Sequence, residues 1–157
     1  MNIRQAIPGD GLLLSSLCMD VQRLHAENIP DIFKAPQSED FAVTYFDEML
    51  ADITTRIFIA EEDGRALGFI FCKLFERPEN PFTYVNRFLQ IEHISVRPDA
   101  QRHGAGAALM NRIEELARET GVTKIQLDSW AFNVKAHAFF ERLGFEKFDF
   151  RFWKIAI

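Results

Sequence analysis

Cysteine is scarce: only Cys18 and Cys72 occur in 157 residues, far apart and outside any C-x-x-C pair. That spacing argues against a disulfide framework and leaves two reduced core thiols, as in a cytoplasmic protein. Positive charge is also short, with 18 Lys and Arg against 23 Asp and Glu and a net charge of −5. Such a balance argues against a nucleic-acid partner held on a general basic surface, and is permissive for a cationic ligand. No apolar run reaches membrane-spanning length, and Met1-Asn2-Ile3-Arg4 does not open a signal peptide, so no membrane partner is expected and the cytoplasm is the default location. Internal repeats and low-complexity segments are absent. Tyrosine is limited to Tyr45 and Tyr84, whereas phenylalanine occurs 16 times, which implies a core filled with rings. With 48% hydrophobic residues and a mean hydropathy of −0.09, the chain reads as one globular domain over residues 1–157.

Hydrophobic periodicity predicts a mixed α/β order of β-α-α-β-β-β-α-β-α-β. Asn2–Ile7 is a first strand stopped by Pro8-Gly9. Asp10 is the expected N-cap of a helix with Leu13, Leu14, Leu17, Cys18, Val21 and Leu24 on one face. His25–Gln37, with two prolines, reads as a loop, and Ser38 caps a second helix carrying Phe41, Ala42, Tyr45, Phe46, Met49 and Leu50. Arg56–Glu61 and Ala66–Glu76 form a hairpin about Glu62-Asp63-Gly64-Arg65. Strands at Phe88–Val96 and Thr123–Trp130 flank a helix from Gly104 to Gly121. Asn133 caps a last helix closed by Gly144, and Phe145–Ile157 alternates like a strand.

Chemistry concentrates in Ile91–Gly106. A β-branched strand ends at Pro98-Asp99, then Gln101-Arg102-His103-Gly104-Ala105-Gly106 opens a helix. Two glycines let a ligand approach the backbone, and the unpaired first-turn N–H groups with the positive end of the helix dipole suit a phosphate or pyrophosphate. A P-loop needs Lys-Ser/Thr after its last glycine, and none follows. A Rossmann fingerprint needs a third glycine where Leu109 stands, although Asp128 falls about twenty residues on, as a ribose-binding acid would. That second reading is set aside, because the motif comes late and follows an antiparallel hairpin.

Gln101-x-x-Gly104-x-Gly106 resembles the Q/R-x-x-G-x-G/A signature of the GNAT superfamily of acyl-CoA-dependent N-acetyltransferases. Asn133-Val-Lys-Ala136-His-Ala-Phe139-Phe140-Glu-Arg-Leu-Gly144-Phe145 resembles its second signature, N-x-x-A-x-x-F-Y-x-x-x-G-F. The order of elements also matches, so the resemblance covers nearly the whole chain. It implies an α+β domain whose mixed, mostly antiparallel sheet is flanked by helices and splayed between its cleft strands. It further implies acetyl-CoA as cosubstrate and a primary amine, on a small metabolite or a peptide terminus, as acceptor. Main-chain groups of Ile94, Ser95 and Val96 would pair with the pantetheine arm. Gln101, Arg102, His103, Gly104, Ala105, Gly106 and Ala107 would hold the pyrophosphate, with Asn133 and Phe140 beside the pantetheine.

A primary amine with a pKa of about 10.4 is almost wholly protonated near neutral pH, so a base is needed. Glu92, on the cleft strand, is the candidate; a solvated strand glutamate or a partner for Arg97 is the alternative. Strand alternation turns His93 to the opposite face. A backbone N–H near Ile94 would hold the developing oxyanion. Phe140 stands where the family often has tyrosine, so no hydroxyl meets the leaving thiolate there. With a thiol pKa of about 8.5 that loss is tolerable. A CoA-binding sensor with little turnover is the other function class. Tyr84 lies in a loop that is either packed or drawn over the cleft. Glu27, Asp31, Glu76 and Glu79 share the flanking loops with Lys34, Arg77 and Arg87, so charge there decides nothing. His103 and His137 converge with no other ligand, and no metal is expected. The short tail leaves its strand single or paired across a homodimer.

Overall fold

Alternation in the two central strands explains why the sheet carries a core on each face. In the computed structural model, which describes residues 1–157, β2 (Thr55–Glu62) and β3 (Arg65–Arg77) pair antiparallel. Phe58, Ala60, Ile70 and Cys72 point to one face, and Ile57, Ile59, Phe69 and Phe71 to the other. The first face is covered by α3 (Ala105–Thr120) through Leu109, Met110 and Ile113. The second is covered by α1 (Gly11–Asn28) through Leu14, Leu17 and Cys18, and by α2 (Val43–Ala51) through Phe46. Full burial of each such side chain is worth about 1.5–3 kcal/mol. The expected ring-filled core is thus one-sided, its large rings lying mainly under α1 and α2.

The sheet runs β1-β2-β3-β4-β5, with β1 (Asn2–Gln5), β4 (Asn86–Val96) and β5 (Ile125–Leu127) completing it. Its first three pairings are antiparallel and β4–β5 is parallel. A 3₁₀ turn at Pro98–Ala100 precedes α3, and α4 (Val134–Arg142) follows β5. This is the expected α+β arrangement of a mixed, mostly antiparallel sheet between helices. The hairpin turn has Asp63 and Gly64 both left-handed, at φ 51° and 76°, matching the twist of the strands it joins.

Several local expectations are corrected. Asp10 makes no side-chain cap to α1; its carboxylate accepts from Ile7 N–H at 2.8 Å and from Arg4 at 2.7 Å. Ser38 does not cap α2, because its hydroxyl is taken by Asp40 and the helix begins five residues later. The first helix runs on to Asn28, since Pro30 bars helix only from about the residue before it. β5 holds three residues rather than eight, because Asp128 onward leaves β4. Phe145–Ile157 forms no strand. After Phe145 N–H bonds Phe140 O at 3.1 Å, the backbone enters no ladder, and an alternating segment without a partner strand cannot form a sheet.

Candidate active site

The cleft begins where β4 and β5 part. They pair at Leu89–Ile125, Gln90–Gln126 and Ile91–Leu127, and no further. On its other side β4 stays paired to β3 as far as Val96. Arg97 N–H donates to Leu67 O at 2.8 Å, so strand alternation turns the Ser95 main chain toward β3 and leaves Ile94 and Val96 facing the cleft. Ser95 is engaged on the α1 side, its hydroxyl donating to Leu17 O at 2.7 Å.

The pairing of β3 with β4 slips between Phe71 and Cys72, which oppose His93 and Ile91. Glu92 is the extra residue of a β-bulge. As a result Ile91 and Ile94, three apart, pack on the same core, and Glu92 and His93 line the same cavity. The expectation that His93 faces away from Glu92 is therefore wrong: it assumed unbroken alternation, and a bulge adds one residue to it.

Two adjoining chambers share Ile91, Glu92, His93, His25 and Asp128. The larger, about 210 Å³, is completed by Gln22, Phe33, Gln90 and Trp130. The smaller, about 120 Å³, extends under Ile94 to Asn133, Ala136 and Phe140. Glu92 is thus placed at their junction. Partial burial raises its pKa, against the pull of Lys73, and the negative Asp128 adds to the rise. Lys73 itself pairs with Asp52 at 3.6 Å. Arg97 donates to Ala66 O at 3.0 Å and makes no ion pair with Glu92, which removes the alternative partner. Burial, with His25 nearby, lowers the pKa of His93, whose ring stacks on Phe71 at 5.8 Å. His25 Nδ1 lies 2.7 Å from Val21 O and so carries the proton, which leaves Nε2 as acceptor in the neutral ring.

Beyond Val96 the chain turns through Gln101, whose Nε2 donates to Val96 O at 3.2 Å. Arg102 and Gly104 both adopt left-handed backbone, at φ 67° and 86°, and His103 is exposed between them. Ala108 N–H makes the first bond of α3, to Gly104 O at 2.9 Å, so Ala105, Gly106 and Ala107 N–H precede the ladder. Gly106 packs closely on Phe139, since a Cβ there would lie 3.1 Å from Phe139 Cζ and the ring would have to shift. Asn133 Oδ1 caps α4 by accepting from Ala136 N–H at 3.3 Å. Phe140 is buried between Phe139 and Phe145.

Sequence reading missed Phe33, Trp130 and His25 as lining residues. Phe33 packs edge-on to Trp130 at 5.4 Å and against His25 at 4.9 Å, contacts that join two loops and the last turns of α1. The only local signal was aromatic residues in segments otherwise polar. Tyr84 is 87% exposed and lines neither chamber. Glu27, Asp31, Glu76 and Glu79 also line neither, and Glu76 pairs with Arg87 at 3.1 Å.

Comparison with known proteins matches residues 21–145 to the acetyltransferase (GNAT) family. A glucosamine 6-phosphate N-acetyltransferase of Trypanosoma brucei brucei is 31% identical over 77% of this chain and 80% of its own. An uncharacterised N-acetyltransferase of Methanocaldococcus jannaschii is 28% identical over 71% of this chain, and the match spans about half, 48%, of that longer protein. Among solved structures, a mutant of the BH1408 protein of Bacillus halodurans superposes with a TM-score of 0.92 at 20% identity, over the full length of both chains. No helix here is long and apolar enough to cross a membrane.

Proposed function

The chain belongs to the acetyltransferase (GNAT) family, and from that premise we propose that it transfers the acetyl group of acetyl-CoA to a primary amine of a small metabolite or peptide terminus. The observation that carries this reading is the placement of Glu92 where the two chambers meet, beside the free edge of β4. The residues fit the cosubstrate. Ile94 lines the smaller chamber, the main chain of Val96 continues the unpaired β4 edge beyond it, and the turn with left-handed Arg102 and Gly104 leads into the free early amides of α3, with Arg102 for charge. Gln101 and His103 complete that loop, Ala105 to Ala107 supply the amides, and Asn133 and Phe140 close the chamber floor. Ser95 acts through position, fixing β4 on α1.

Acetyl-CoA brings an acyl group on a leaving thiol. Glu92, as base, takes the ammonium proton; the amine nitrogen then bonds the acyl carbon while the C–S bond breaks and the thiolate departs, and the second proton shed by the nitrogen as the amide forms passes through solvent to the thiolate. Ile94 N–H, on the unpaired edge of β4, would donate to the carbonyl oxygen. Phe140 gives the thiolate no proton, so this step relies on solvent and on the intrinsic acidity of the thiol.

The domain is taken as residues 1–157, acting in the cytoplasm without a nucleic-acid or membrane partner, and as a homodimer through its exposed tail. A thiol-release screen over polyamines, aminoglycosides, amino acids and N-terminal peptides tests the activity. The missing hydroxyl at Phe140 favours one other reading, a CoA-binding sensor. CoA binding with no turnover on any class would establish that reading instead.

A further inference from the structure

Asp128 follows the last residue of β5, and acyl transfer with Glu92 as base leaves it no task. Its setting is specific. Gln126 Nε2 donates to Gln90 Oε1 at 2.9 Å, and Gln90 Nε2 donates to Asp128 Oδ2 at 3.2 Å. Gln90 is buried, at 9% exposure, so two amides bridging β4 and β5 hold one carboxylate oxygen and leave the other without a protein partner. Asp128 and Glu92 both line the larger chamber, neither makes an ion pair, and no lysine or arginine lines it. His93, the histidine beside Glu92, has its pKa lowered by burial. Phe33 and Trp130 wall the same space with rings, whose faces attract cations.

We propose that Asp128 binds a second positive charge on the acceptor, so that the acceptor is a diamine, polyamine or amino sugar with at least two amino groups. This rests on the acetyl-transfer reading, in which Glu92 receives the proton of one ammonium and is no longer a counter-ion for the other. Two carboxylates that are close enough for the charge of Asp128 to raise the pKa of Glu92 repel each other until a cation arrives. A chamber of about 210 Å³, open on one side, has room for a short aliphatic diamine. 1,4-Diaminobutane meets that size, and longer polyamines or one ring of an amino sugar place their remainder in solvent.

The probes are 1,4-diaminobutane and n-butylamine, which differ in one amino group. Binding of each to the CoA-loaded protein is measured by calorimetry, and acetylation of each by thiol release. The wild type should prefer the diamine about ten- to a hundredfold, as expected for one charge-assisted hydrogen bond. Asp128→Asn keeps a carbonyl for Gln90 Nε2 and should remove most of that preference, chiefly through KM. Thermal unfolding of the variant checks that its fold is retained, and Gln90→Leu, which frees Asp128 from its amide, should weaken the preference in the same direction. A wild type with no preference overturns the proposal, as does a preference that Asp128→Asn leaves intact. Diamine-selective binding without acetylation would uphold the acceptor site and reject the acetyl-transfer reading.

Discussion

Glu92 and His93 are neighbours in β4, yet both line the chamber where the cleft strands part, because the bulge opposite Phe71 and Cys72 inserts Glu92 into the alternation. The bulge changes what each can do. Glu92 is raised in pKa at the chamber junction, while His93 is held against Phe71, Tyr45 and Phe46. Glu92→Gln should therefore lower kcat by about 10²–10⁴-fold with little change in acetyl-CoA affinity, read by steady-state kinetics and calorimetry. An effect confined to KM would make Glu92 a positioning group.

The same environment sets the pH dependence. Burial raises Glu92 and Asp128 raises it further, with Lys73 pulling it down and His25 and His93 facing the same space. A raised carboxylate is a base only above its shifted pKa, so activity should climb with pH through a limb lying above the ordinary glutamate range, then level. Asp128→Asn removes like charge and should move that limb to lower pH. Lys73→Met removes the opposing cation and should move it higher. A pH–rate profile in all three proteins reads the shifts, and a limb that ignores both substitutions belongs to another group.

How far the sequence could reach is visible in these residues. The places of Gly104 and Gly106 at the start of α3, and of Asn133 and Phe140 at the cap and within α4, were legible because each sits at a fixed spacing where local backbone geometry decides its position. The hairpin at Asp63-Gly64 was legible for the same reason. The bulge was not, since a single inserted residue leaves no mark in apolar alternation and is decided by how β3 and α1 pack. Phe33 and Trp130 meet across nearly a hundred residues, and only the fold joins them.

Arg102 holds a left-handed conformation that non-glycine residues pay for by about 1–3 kcal/mol. Arg102→Gly should relieve that strain and raise Tm slightly, while removing the charge proposed for the pyrophosphate and raising the KM for acetyl-CoA. Unchanged affinity would release Arg102 from cofactor binding. At Gly104, whose φ is 86° with open space around it, alanine and glutamate carry the same backbone strain. Gly104→Glu should abolish CoA binding by placing negative charge against the anion, and Gly104→Ala should weaken it far less.

Asp10 joins the start of α1 to β1 through Arg4, which also bonds Glu61 at 2.8 Å. Burial alone would raise the Asp10 pKa, but the Arg4 hydrogen bond and the Ile7 N–H outweigh it and hold the carboxyl below its usual range. A depressed folded-state pKa gives stability present above the unfolded value of about 3.9 and lost as pH falls through the folded one. Asp10→Asn should thus cost about 1 kcal/mol at neutral pH, with the gap to wild type closing in acid, as chemical denaturation at several pH values will read.

Phe148, Phe150 and Phe152 are 73%, 71% and 92% exposed, and Trp153 touches only Trp130 among aromatic rings, at 5.9 Å. A monomer rarely leaves so many large apolar groups in water within one segment. The alternation is that of a strand, and β5 at the end of the sheet has one edge unpaired. One chain supplies both an unused edge and an unused strand, so a second copy can satisfy both at once by a reciprocal exchange, the self-complementary contact of a two-fold dimer. Light scattering should give twice the monomer mass, and deletion of residues 148–157 should give a monomer that still binds CoA, because the tail lines neither chamber. A monomeric wild type would reject the exchange and leave the tail to fold back on its own β5 edge, which amide exchange at Ile125–Leu127 would then detect as protection in the full chain that is lost on deletion.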